Sequence, residues 1–233
     1  NTENPFKEAS LVYVPYCTGD FHTGNRLAVY GDNTTHHVGY ANFKAYLERL
    51  VPTFSDVKQV IISGNSAGGY GAAFNWYQTQ IAFGDEIHVN LIDDSGPWLP
   101  NGYFELLTTI KTAWGSDQNL PTGCKNCSDD YSNIYAYTAG LFPKSRGGLI
   151  SYIPDSVISR IFGLELDEFT MGMYILANDK FLNSSNFHTY YLPGYQAHTV
   201  LGSEHLITQN EITLIQWVIR LINAKENWDN VTP

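Results

Sequence analysis

Residues 57–80 read VKQVIISGNSAGGYGAAFNWYQTQ, and the order of residue types in this stretch decides the fold class. Val57, Val60, Ile61 and Ile62 make a short β-rich apolar run of the kind that forms a buried strand. Gly64-Asn65-Ser66-Ala67-Gly68-Gly69 follows at once, and then come small residues that can pack closely as a helix. Gly-x-Ser-x-Gly between a strand and a helix is the setting of a nucleophile elbow. The turn is so tight that neighbours of the serine must lack bulk, the role expected of Gly64 and Gly68. It places the Ser66 hydroxyl at the tip of the strand, near a helix N-terminus whose free N–H groups favour developing negative charge. A Gly-rich turn without chemistry is the plain alternative, and the context on both sides weighs against it. Ser66 is the expected nucleophile, and the Ala67 backbone N–H an expected oxyanion donor.

Outward from this stretch, residues 11–14 read as a strand stopped by Pro15, 16–25 as a loop, and 27–30 as a second extended piece. Phe43, Tyr46, Leu47, Leu50 and Val51 recur at helical spacing up to Pro52, which predicts a helix over 41–51. Further strands are expected at 88–92, which leads into Asp93-Asp94-Ser95-Gly96, and at 171–177 and 188–192. Ile212, Leu214, Ile215, Val218, Leu221 and Ile222 predict a long amphipathic final helix. Strands alternating with helices mean an α/β fold with a mainly parallel sheet covered on both faces. Residues 97–169, rich in Tyr, Gly, Pro and Ser, read as a cap or insertion of loops and short helices within a single domain over 1–233.

The 233 residues suffice for one domain with a sizeable core. Charged residues make up 15% and aromatic residues 14%, which suits a compact enzyme and not a disordered chain. A net charge of −10 argues against nucleic acid as a partner, since binding a phosphate backbone needs clustered Lys and Arg. No apolar run approaches a membrane span, and no signal peptide opens the chain, so export would require a signal removed upstream. Of Cys17, Cys124 and Cys127, the last two sit in a loop of Gly, Pro, Asn and Asp. Zinc lacks a second pair at ligand spacing, and a redox pair would open a helix after a strand. A local disulfide in an extracellular or periplasmic protein is the expectation, with Cys17 unpaired. No metal and no organic cofactor is expected.

A serine needs a base, and in α/β-hydrolases the chain order is Ser, then Asp or Glu, then His. His88 and His188 open strands and so lie at the wrong end of the sheet. His198 follows the 188–192 strand in a loop at the catalytic edge, and His205 is the runner-up. For the acid, Asp93, Asp94, Asp155, Asp167 and Asp179 are candidates. Asp93 and Asp94 end the strand beside the nucleophile, which suits the substrate pocket better. Asp179 ends an expected strand, whereas Asp155 can cap a helix after Pro154; sequence physics alone does not choose Asp155 over Asp179.

Val14-Pro15-Tyr16-Cys17-Thr18-Gly19-Asp20, the Gly64–Gly69 elbow and Asp94-Ser95-Gly96 together resemble the pectin acetylesterase family, which includes Notum-like carboxylesterases. The resemblance covers most of the chain in order, and the Gly-Asn-Ser variant looks more like bacterial members than plant ones. It implies an α/β-hydrolase-like fold, a Ser–Asp–His triad and removal of acyl groups from oxygen esters. Carried over, the serine falls on Ser66, the aspartate on Asp155 and the histidine on His198.

The resulting expectation is a serine carboxylic-ester hydrolase that deacylates, and in particular deacetylates, an oxygen ester of a polysaccharide or related substrate. Tyr16, Asp94 and Trp98 are the expected substrate contacts, with Tyr103 a further aromatic wall. A thioesterase or peptidase on the same scaffold, or a silent hydrolase fold used for binding, are the rivals. The second oxyanion donor of this scaffold comes from a loop after an earlier strand, and the resembled family has a Gly-rich segment upstream of its Val-Pro-Tyr-Cys stretch. The chain is therefore expected to be part of a catalytic unit completed by a separate N-terminal polypeptide of the same precursor.

Overall fold

The computed structural model describes residues 4–103, 106–194, 197–202 and 211–233. Its centre is a four-stranded parallel sheet in the order β3 (Gln59–Asn65), β4 (His88–Asp94), β5 (Gly147–Ile153), β6 (Phe187–Pro193). A separate hairpin of β1 (Arg26–Tyr30) and β2 (Asn33–His37) turns through Gly31, whose φ of 61° is left-handed. The first half of that hairpin matches the extended piece expected at 27–30; the polar Asn-Thr-Thr-His-His partner gave no apolar signal.

α1 (Gly39–Thr53) and α2 (Ala67–Phe83) flank β3 in sequence, close to the helices and strand expected there. Strand side chains alternate between two cores, as the period of two requires. Leu149, Phe187 and Tyr191 face a large aromatic core shared with Tyr70, Phe74, Trp76 and Trp98 of α2 and the loop after β4. Ile150, Tyr190 and Leu192 face a smaller core closed by α7 (Leu214–Ile222). α7 buries Leu214, Trp217, Val218 and Leu221, one stripe at helical spacing, and starts at a capping box between Thr213 and Gln216.

Three expectations change. Residues 97–169 are not one insertion, because they contain β5, an inner strand of the sheet. The insertion proper runs from the end of β4 to β5 and holds the short α3 (Leu107–Thr109), further helical turns and α4 (Asn133–Leu141). Gly147 and Gly148 read as a loop, but they are glycine because rings press on the strand from both sides. A Cβ on Gly148 would lie 2.6 Å from Trp217, and one on Gly147 would meet Phe187 and Trp76.

Residues 171–177 are helical: α6 (Leu166–Ile175) follows α5 (Ser156–Phe162) and runs on through a turn at Leu176–Lys180. A short apolar run fits strand and buried helix alike. Phe169, Gly172, Met173 and Leu176 are buried at helical spacing, and Glu165 with Glu168 forms a capping box. Residues 11–14 form no strand; Leu11 is 94% and Tyr13 82% exposed, and among the described residues they pair with no ladder.

Candidate active site

Each strand of the parallel sheet delivers one element of the site from its carboxyl end, where ligands of open α/β sheets bind. Ser66 follows β3, Asp94 ends β4, Asp155 follows β5 and His198 lies in the loop after β6. Ser66 has φ 53° and ψ −120°, a strained conformation for a residue with a Cβ, at the join of β3 and α2. Its N–H donates to the Asp94 carbonyl at 2.8 Å, and its own carbonyl accepts from Gly69 N–H at 2.9 Å. The Ser66 side chain is partly open to solvent.

The steric reading of the elbow holds for Gly64, whose Cβ would run into the Gly68 backbone, and fails for Gly68, where a Cβ would meet open space. The glycines that matter beside it are Gly69, pressed against the Asp93 carboxylate, and Gly96, pressed against the backbone of Gly69 and Tyr70. Ala67 is the first residue of α2, so its N–H is one of those a helix leaves without an internal partner.

Asp155 and His198 meet. His198 Nδ1 lies 2.6 Å from Asp155 Oδ2, with the histidine side chain 18% exposed and the aspartate fully buried. The other oxygen, Oδ1, caps α5 by accepting from Val157 N–H at 2.9 Å and Ile158 N–H at 3.1 Å. Capping and orienting the imidazole are thus two jobs of one carboxylate, with one oxygen for each. An Nδ1–H donated to Asp155 leaves Nε2 with a lone pair, able to take a proton. Nε2 is buried and, among the described residues, makes no hydrogen bond, so the expected hydrogen bond to the Ser66 hydroxyl is not formed in this conformation. Catalytic hydrogen bonds are often loose without substrate and tighten in the complex.

Asp179 is exposed in the turn after α6 and takes no part, because the strand that would have aimed it is a helix. His188 opens β6 and packs edge-on against Trp228. His205 lies outside the described residues.

Two of the three expected substrate contacts are corrected. Trp98 is wholly buried, donates its indole N–H to the Tyr70 carbonyl at 3.1 Å and packs among Tyr70, Phe74 and Tyr131, so it belongs to the core. Asp94 is buried too, and its carboxylate is occupied by the backbone of Val200 and Leu201 and the Ser95 hydroxyl. Tyr16 is 41% exposed; its hydroxyl accepts from Phe21 N–H at 3.0 Å and its ring lies 4.9 Å from His22. Tyr103 is half-buried.

Behind the elbow, burial pushes the Asp93 carboxyl well above the usual carboxylate range, against the opposing bonds from Tyr135 O–H and Gly96 N–H. Burial raises Asp94 as well, opposed by the N–H groups of Leu201 and Val200, the Ser95 hydroxyl and nearby His198. Sequence reading missed Tyr135, which lies 42 residues from Asp93 in the chain and reaches it only through the fold.

The pectinacetylesterase family model matches residues 1–151, which include the elbow and Asp94-Ser95-Gly96. The chain belongs to the pectinacetylesterase family. Membership makes it a carboxylic-ester hydrolase of the deacylating kind. Two crystal forms of the Wnt deacylase Notum from Drosophila share the fold. One has a TM-score of 0.68 at 17% identity over 94% of this chain and 69% of that one. The other has a TM-score of 0.64 at 18% identity over 91% of this chain and 67% of that one. Compared with curated proteins, the chain finds no match.

Cys124 and Cys127 form a disulfide, and Cys17 is free and exposed. Among the described residues no cluster of His, Cys, Asp and Glu is arranged to hold a metal ion, and no helix is long and apolar enough to cross a membrane.

Proposed function

We propose that this chain hydrolyses oxygen esters through an acyl-enzyme on Ser66, with His198 as base and Asp155 as its orienting carboxylate. The observation that carries the reading is the 2.6 Å contact between His198 Nδ1 and buried Asp155, which leaves Nε2 as the acceptor in a loop beside the elbow. Ser66 Oγ attacks the ester carbonyl as its proton passes to Nε2. Asp155 balances the imidazolium, and the Ala67 N–H donates to the oxyanion. The imidazolium returns the proton to the leaving alcohol, and water, activated by the same base, releases the acid.

The acyl group is an acetyl or other small acyl on a carbohydrate, the class for which the family is named, and Tyr16, which is 41% exposed, is the proposed sugar-stacking aromatic. An extracellular or periplasmic location is supported by the disulfide. Among the described residues β3 is an uncovered edge, a template for another strand.

The test is to assay the purified protein with p-nitrophenyl acetate and acetylated pectin beside matched amide and thioester substrates. Turnover of the oxygen esters is the expected result. Cleavage of the amide or thioester alone would overturn the ester reading, and no cleavage would favour a binding module.

A further inference from the structure

We propose that Asp94 is a positioning residue that braces the nucleophile and the base against each other, with its carbonyl holding Ser66 and its carboxylate holding the loop of His198. This rests on the reading of Ser66 and His198 given above, and it replaces the substrate contact expected of Asp94.

The geometry is specific. Asp94 stands opposite Asn65 in the last register of β3 and β4, and its carbonyl accepts from Ser66 N–H at 2.8 Å. Oδ1 accepts from Val200 N–H at 2.8 Å and from the Ser95 hydroxyl at 3.0 Å. Oδ2 accepts from Leu201 N–H at 2.9 Å and shares the Val200 N–H at 3.0 Å. A buried carboxylate is costly unless donors satisfy it, and here the donors are the backbone of the base loop.

The loop needs such a clamp. Thr199, between His198 and Val200, sits at φ 61°. A β-branched residue is strained there and stays only where its surroundings over-determine it. Asp94 fixes the chain directly after that residue, so the strain is held two positions from the imidazole. The carboxylate and the imidazole also lie within electrostatic reach of each other. Asp94 in turn helps to raise the Asp93 carboxyl, and Asp93 and Asp155 both act on buried Tyr70.

Asp94→Asn tests the assignment. An asparagine offers one acceptor oxygen and would turn an N–H₂ towards a backbone N–H, so the clamp opens at nearly constant size. Turnover per active site, counted by titration with a fluorophosphonate, should fall about 100-fold with KM changed less than about threefold. Asp94→Glu, which keeps both carboxylate oxygens, should recover part of the lost turnover per site. A plain structural staple would reduce the number of titratable sites and leave turnover per site where it was; that result overturns the proposal.

Should the asparagine variant fail to fold, amide hydrogen exchange in the unaltered protein decides the matter. Val200 and Leu201 N–H should be strongly protected, and exchange at free-loop rates overturns the clamp. Absence of ester hydrolysis by the unaltered protein would be a failure of the functional reading instead, and the exchange measurement is independent of it.

Discussion

Ser66→Ala is expected to lower kcat for acetyl-ester hydrolysis by at least about a thousandfold while the melting temperature stays within about a degree of the parent. The variant loses one hydroxyl and keeps the Cβ, so the strain at φ 53° and the backbone bonds to Asp94 and Gly69 are unchanged. Any activity left would come from the oxyanion donor and substrate binding alone. Steady-state kinetics on p-nitrophenyl acetate and a thermal melt of the same preparation read both quantities. Parent-like turnover would remove Ser66 from the chemistry, and a collapse in stability would make the elbow a structural turn.

The second large effect separates the two duties of Asp155. Asp155→Asn keeps an oxygen to cap α5, and asparagine caps as well as aspartate, so stability should change by less than about 0.5 kcal/mol. Its amide N–H₂, however, faces His198 Nδ1, which must then accept, so the proton moves to Nε2. An Nε2–H cannot take the serine proton, and kcat should fall about ten-thousandfold, the size of this tautomer effect in other triads. Asp155→Ala removes the cap as well and should cost about 1 kcal/mol or more in addition to the lost activity. Chemical denaturation and kinetics on the two variants give the comparison. Retained activity in the asparagine variant would leave Asp155 as a cap only.

The elbow was legible because its chemistry is local: an apolar run, a turn in which the chain touches itself, and a helix of small residues lie side by side in sequence. Even there the steric logic was one position off, since Gly68 faces open space and Gly69 and Gly96 carry the close approaches. His198 could be placed by strand-end topology, because β6 formed where its apolar residues predict it. Asp155 could not be separated from Asp179 by physics alone. A helix cap and a carboxylate partner of a histidine look alike in sequence when one residue does both, and the apolar run before Asp179 suits strand and helix equally. The resemblance to the family supplied that choice.

β5 stayed hidden because its first two residues are glycines, and the rings that require them come from Trp76, Phe187 and Trp217, far away in the chain. Trp98 and Asp94 were assigned to the substrate for a related reason. A residue next to the nucleophile strand looks like a pocket residue until the fold shows that one packs in the core and the other holds the loop of His198.

Covalent trapping bears most directly on the assignment of Ser66 as a nucleophile served by His198. The protein is treated with a fluorophosphonate, its intact mass is taken, and the adduct is located by peptide mass spectrometry, with His198→Ala treated in parallel. One adduct per chain on the peptide that carries Ser66, with labelling slowed by orders of magnitude in the His198→Ala protein, is the predicted result. An adduct on another residue, or an unlabelled protein that still hydrolyses acetyl esters, would contradict it.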